Sequence, residues 1–146
     1  MNPPDVSVVV PTYNRSALLQ RALRSLFSQQ APGVNFEIIV IDNNSSDDTE
    51  KSVAALEATS PVRLRSVRES RQGNAYARNA GIDQAEAPII AFLDDDVVAD
   101  ENWVNTIKAT FTRNPQIAFV GGRVLPLWDS DPPSWLRQGL STSSRI

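Results

Sequence analysis

Short apolar runs rich in β-branched residues alternate along this chain with segments of helical periodicity, and that alternation limits the folds open to it. Val6-Ser7-Val8-Val9-Val10-Pro11 is almost continuously apolar, as a strand covered on both faces must be. From Ser16 to Gln29, the residues Leu19, Ala22, Leu23, Leu26 and Phe27 recur at three- and four-residue steps, which predicts a helix. Asn14 is placed to cap it and Pro32-Gly33 to stop it. Phe36 to Ile41 predicts a second strand ending at Asp42, and the turn and cap formers from Asn43 to Glu50 open a helix carrying Val53, Ala54 and Leu56. Val62 to Val67 alternates with period two, as a strand near a sheet edge does. An alanine-rich helix over Gly73 to Glu86 leads into a fully apolar fourth strand, Pro88 to Leu93. Trp103, Val104, Ile107 and Phe111 mark a further helix closed by Asn114-Pro115, and Ile117 to Val120 predicts a fifth strand. The expected fold is α/β: a mostly parallel sheet with right-handed crossovers and helices on both faces.

A chain of 146 residues suits one domain, and the alternation places it in residues 1–125. Residues 126–146 are different in kind. Asp129-Ser130-Asp131-Pro132-Pro133 suits neither helix nor central strand, Ser141 to Ser144 is small and polar, and Trp128 and Trp135 are large rings in need of a surface. This tail is expected to lead toward a part that the chain does not contain.

Composition narrows the chemistry. There is no cysteine and no histidine, so disulfides, thiolate nucleophiles, imidazole metal sites and Ser-His-Asp triads are excluded. Lysine occurs only at Lys51 and Lys108, which leaves carboxylates, helped by arginines, hydroxyls and a hard metal ion. A net charge of −3 speaks against a nucleic-acid partner, although Arg63, Arg65, Arg68 and Arg71 leave a local basic face open. No secretory pattern follows Met1, and no apolar run approaches the ~20 residues of a membrane span. The expected address is the cytoplasm, with peripheral attachment to the inner face of a membrane left open.

In a doubly wound sheet, ligands bind beyond the carboxyl ends of the strands. The residues falling there are Thr12, Tyr13 and Asn14, then Asp42, then Arg68 to Gly73, then Asp94-Asp95-Asp96. In extended chain Asp94 and Asp96 share a side while Asp95 points away. Two carboxylates held together need a compensating cation or arginine, and oxygen-only ligands suit Mg²⁺ or Mn²⁺ completed by substrate phosphates. The competing reading is a solvated turn that caps the next helix. Asp42 could accept bonds from a nucleobase imide or a ribose hydroxyl, or cap a helix. Tyr13 could pack on a base or close the core. Arg71 and Arg78 could meet phosphate, or pair on the surface with Glu69 or Asp83. Neither a G-x-G-x-x-G run nor a P-loop is present.

Four blocks, taken in order, carry a resemblance: Val8-Val9-Val10-Pro11-Thr12-Tyr13-Asn14-Arg15; Ile39-Val40-Ile41-Asp42-Asn43-Asn44-Ser45-Ser46-Asp47-Asp48-Thr49; Gly73 with Ala77-Arg78-Asn79-Ala80-Gly81; and Phe92-Leu93-Asp94-Asp95-Asp96. Together they resemble the motifs of the family-two inverting glycosyltransferases. The resemblance implies a Rossmann-like GT-A fold, a UDP-, GDP- or dTDP-sugar donor, and a glycan, lipid-linked or other hydroxyl acceptor. It also implies that Thr12, Tyr13, Asp42, Arg78, Asp94 and Asp95 bind the donor, to which the residue reading adds Arg71 as a phosphate contact, and that Asp94 and Asp96 bind Mn²⁺ or Mg²⁺ as the family's D-x-D acids. The catalytic base of the family lies well downstream of the D-x-D. Asp129 and Asp131 stand in a Pro-rich setting that suits turns, so the base is expected outside this chain. The alternative is a nucleotide-sugar-binding module without catalysis. A receiver-like signalling domain fits poorly, since its acid pair would follow the first strand, where Pro11-Thr12-Tyr13-Asn14 stands.

Overall fold

Valine and isoleucine build the sheet. The computed structural model describes residues 3–127 and 131. Its strands are β1 (Val6–Thr12), β2 (Phe36–Asp42), β3 (Arg63–Arg68) and β4 (Ile89–Phe92), in the spatial order β3-β2-β1-β4 and parallel throughout. The central strands β1 and β2 are buried at every position, which their unbroken apolar character requires. At the edge, β3 buries Leu64 and turns Arg63, Ser66 and Arg68 to solvent.

The helices are α1 (Ser16–Phe27), α2 (Thr49–Glu57), α3 (Asn74–Gln84) and α4 (Trp103–Arg113). Alternate residues of the strands feed two cores. Val6, Val8, Val10, Ile38 and Val40 pack with Leu19, Leu23 and Leu26 of α1, Val53 of α2 and Val104 of α4. Each of the three fully buried leucines contributes about 1.5–3 kcal/mol of burial free energy. On the other face Val9, Ile39 and Ile41 meet Ala77 of α3. Here the small side chains matter: a Cβ at Gly81 would collide with the Val9 side chain, so glycine sets the approach of α3 to β1.

The strand order positions the site. From β1 the chain steps outward to β2 and β3, then returns by way of α3 to place β4 on the far side of β1. The direction of winding reverses between β1 and β4, and a crevice opens beyond their carboxyl ends. Thr12 lies opposite Asp42, and Asp42 opposite Arg68, so three strand ends stand at one level.

Two expectations are corrected. Ile117 to Val120 forms no strand among the described residues; Phe119 is exposed, and the following chain runs past α4, with the Cβ position of Gly122 3.9 Å from Trp103 Nε1. A fifth apolar run without a paired neighbour has no ladder to join. Asn14 does not cap α1, because its side chain is engaged by the loop that precedes α2. Of the tail, Trp128, Asp129, Trp135 and Ser141 to Ser144 lie outside the described residues, and Asp131 is exposed. No helix among the described residues is long and apolar enough to cross a membrane.

Candidate active site

Two loops lock one rim of the crevice. Asn14 adopts a left-handed backbone (φ 52°) that an asparagine tolerates better than most residues. Its N–H donates to Ser45 Oγ at 3.0 Å, and its Oδ1 accepts the N–H groups of Ser46 (2.7 Å) and Asp47 (3.3 Å). In return Asp47 Oδ2 accepts the Ser16 N–H at 3.1 Å, at the first turn of α1. The Thr49 hydroxyl and the backbone N–H groups around Asp47 hold its carboxyl below the usual carboxylate range. The second loop thus serves the first turn of α1 through Asp47, while Asn14 holds the turn that leads into α2.

Beyond β4, the Leu93 N–H donates to Val9 O at 3.0 Å, and the three acids follow. Asp95 is buried, accepting the Thr12 hydroxyl at 2.8 Å and Arg15 Nη1 at 3.2 Å. Asp94 and Asp96 are about half exposed, with side chains 55% and 51% accessible. Arg78 Nη2 lies 2.7 Å from Asp94, its guanidinium over the Phe92 ring at 5.0 Å, and Arg15 Nη1 lies 3.2 Å from Asp96. Two guanidinium groups therefore offset two of the three negative charges that would otherwise repel one another.

The third wall is the β3–α3 loop. Gly73 has φ 137°, a conformation that disfavours any side chain. Arg71 folds back on Glu69 through two charge-assisted bonds of 2.8 and 3.0 Å and lies over the Tyr76 ring at 4.9 Å. The Arg71 side chain and its N–H pull the Glu69 carboxyl down to about 2. Asp42 is buried, with Oδ1 accepting the Ser45 N–H at 2.8 Å.

These walls enclose an open cavity of about 470 Å³, lined among others by Thr12, Tyr13, Arg15, Asn43, Gln72, Gly73 and Asp94 to Asp96. Asp42, Arg71 and Arg78 do not line it; Arg78 reaches it through Asp94. Arg15, Asn43 and Gln72 carry no role in the sequence reading, although Arg15 ends the first motif block and Asn43 follows Asp42 in the second. The basic face left open at the edge of the sheet is largely compensated. Arg63 pairs with Glu86 (2.6 Å), Arg65 with Glu37 (3.4 Å), and Arg71 with Glu69, while Arg68 donates to Asn44 (2.7 Å).

The donor set fits a hard divalent cation. Asp94 and Asp96 offer only carboxylate oxygens, both open to the cavity. No group of three or more acids is placed to hold a metal ion among the described residues, so a cation here would need its remaining ligands from water and phosphate.

Comparison with known proteins gives a consistent picture. A family model described as "Glycosyl transferase family 2" matches residues 7–145. Glycosyltransferase AglE of Haloferax volcanii is 37% identical over 126 residues, a stretch covering 83% of this chain and 40% of that protein. The crystal structure of S. aureus TarS residues 1–349 in complex with UDP-GlcNAc superposes with a TM-score of 0.69 at 27% identity, covering 84% of this chain and 37% of that one. Mannosyltransferase PcManGT from Pyrobaculum calidifontis, in complex with GDP-Man and Mn²⁺, gives 0.65 at 30% identity, covering 75% of this chain and 32% of that one. The chain therefore spans well under half the length of each of these relatives.

Proposed function

Because this chain belongs to glycosyl transferase family 2 and has its α/β, GT-A type of fold, we propose that it forms the donor-binding part of a glycosyltransferase. The donor is a sugar linked to a nucleoside diphosphate, carried in the cavity between the ends of β1, β2 and β4. The observation that carries this reading is the placement of Asp94 and Asp96, open to the cavity, opposite the Thr12-Tyr13 turn at the point where the sheet reverses its winding. The bound nucleotide sugars of TarS and PcManGT support it.

Residues 1–125 make up this unit in our reading. Thr12, Tyr13 and Asp42 stand on the nucleoside side, and Tyr13, 47% exposed, offers a ring face to a base. Asp94 and Asp96 would hold Mn²⁺ or Mg²⁺, which when bound acts as a Lewis acid toward the leaving diphosphate. Asp95, tied to Thr12 and Arg15, fixes the acid loop to the end of β1. Arg78 and Arg15 are within reach of the same acids and supply positive charge where a diphosphate would lie.

Transfer with inversion forms a bond from an acceptor oxygen to the anomeric carbon as the bond to the diphosphate oxygen breaks. The acceptor proton passes to a carboxylate base outside the described residues, and the acceptor is a glycan, a lipid-linked glycan or another hydroxyl compound. Calorimetric titration with UDP, GDP and dTDP, with and without Mn²⁺, tests the reading. Binding that requires Mn²⁺ in the parent and is lost in Asp94→Asn and Asp96→Asn is expected. Affinity unchanged in both variants overturns the cation role, and no binding of UDP, GDP or dTDP overturns the donor reading.

A further inference from the structure

We infer that Asn43 is the positioning residue for the nucleoside wall of the cleft, an inference that rests on the donor reading above and adds to it a residue with no assigned role. Asn43 directly follows β2 and is 5% exposed. Its backbone N–H donates to Thr12 O at 2.9 Å, extending the β1–β2 pairing one step past the sheet. Its side chain then turns toward the β3–α3 loop. Nδ2 donates to Arg71 O at 2.6 Å and Glu69 O at 3.2 Å, while Oδ1 accepts the Gly73 N–H at 2.7 Å. Only this orientation of the amide works, because the partners are two carbonyl acceptors and one N–H donor.

One buried amide therefore ties three backbone groups of the loop to the ends of the two central strands. The loop lies against the cavity through Gln72 and Gly73, and Asn43 itself lines it. Gly73 has φ 137°, a conformation open to glycine and poorly open to residues with a side chain, so the loop passes the cavity here as bare backbone. The carboxylates at the other wall make no hydrogen bond to Asn43, so this residue governs the shape of the nucleoside side and leaves the cation side alone.

The residue type can be tested directly. Aspartate has almost the same shape and keeps an acceptor for the Gly73 N–H, but when ionised it sets an oxygen against the carbonyls of Arg71 and Glu69. When protonated it donates again. The charged or titratable groups around it are Asp42 beside it, Arg68 at the end of β3, and Glu69 and Arg71 in the loop; Glu69, held at about 2, keeps its charge throughout the range used. In the full chain, Asn43→Asp is expected to bind UDP or GDP with Mn²⁺ about tenfold more weakly than the parent at about pH 8. Most of that loss is regained at about pH 5.5, where burial keeps the new carboxyl protonated, while the parent changes little. Asn43→Ala is expected to lose affinity at both pH values and to speed hydrogen exchange at Gly73. Mn²⁺ binding without nucleotide, read by electron paramagnetic resonance, is expected to stay at the parent value in both variants. Parent-like nucleotide affinity of Asn43→Asp at both pH values, or slow exchange at Gly73 in Asn43→Ala, overturns this inference alone. A parent that binds none of UDP, GDP and dTDP overturns the donor reading and this inference with it.

Discussion

Arg15 Nη1 stands 3.2 Å from Asp96 and 3.2 Å from Asp95, so a single guanidinium nitrogen bridges a buried acid and an open one. One Asp96 oxygen, Oδ2, thus already faces a positive charge, which competes with any cation at this carboxylate. Arg15→Gln frees Asp96 and also takes the guanidinium from buried Asp95, which keeps the Thr12 hydroxyl. The variant is therefore expected to be somewhat less stable and is compared with the parent under conditions where both are folded. Mn²⁺ alone is expected to bind this variant about two- to fivefold more tightly, the worth of an exposed ion pair. Mn²⁺-dependent UDP or GDP binding is expected to weaken, because a positive group near the diphosphate is gone. Electron paramagnetic resonance of free Mn²⁺ and calorimetry read the two effects separately. Movement of both affinities in one direction contradicts the exchange.

Thr12 and Asp95 form a second pair, buried and joined at 2.8 Å. Thr12→Val keeps the volume and removes the donor, leaving Asp95 Oδ2 without its bond. A loss of about 1–3 kcal/mol in unfolding free energy is expected by urea denaturation. Thr12→Ser, which retains the hydroxyl, is expected to lie much closer to the parent.

The pH dependence of stability has a definite sign. The Glu69 carboxyl is lowered from its ordinary 4.5 to about 2 by the Arg71 side chain and N–H. A depressed acid stabilises the fold above its unfolded value, and that contribution is lost as pH falls from about 4.5 toward 2. Asp5, bonded to Lys108, and Glu86, bonded to Arg63, are lowered too and act in the same direction. Glu69→Gln is therefore expected to be less stable than the parent at pH 7 and to lose less on acidification, so that the two melting curves converge at low pH. A constant gap between them from pH 7 downward would falsify the assignment.

How much of this was legible in the residues depends on where each interaction is made. The strands β1 and β2 declared themselves because a run such as Val8-Val9-Val10 can only be covered from both sides, and the acid triplet stood out because it follows an apolar strand directly. Local pattern failed where the partner is distant in sequence. Asn14 has the form of a cap for α1, yet it serves the Ser45-Ser46-Asp47 turn some thirty residues on, and Asp47 returns the favour to Ser16. The run Ile117 to Val120 has strand composition, but a strand exists only with a neighbour, and composition cannot state whether one is there. Asn43 sat in a row of turn formers, and nothing in that row shows that its amide reaches the loop around residues 69–73.

Gly81 and Val9 supply the last prediction, because their contact sets the distance between α3 and the sheet. A Cβ at position 81 falls within the Val9 side chain, and Val9 is fully buried between β2 and β4, so it has nowhere to retreat. Overpacking of this kind costs about 1–3 kcal/mol. Gly81→Ala is expected to lose about that much in urea unfolding, against the usual gain in helix propensity from alanine. Because α3 carries Arg78, whose guanidinium reaches Asp94, pushing the helix outward also lengthens that ion pair, and weaker Mn²⁺-dependent nucleotide binding is expected to accompany the lost stability. Val9→Ala added to Gly81→Ala removes both γ-methyl contacts and leaves only the tight Cβ contact of 3.2 Å, so it is expected to restore most of the nucleotide affinity even though Val9→Ala alone opens a small void. If the double variant loses the sum of the two single losses, the contact is not what holds α3 in register, and Arg78 is placed by other means.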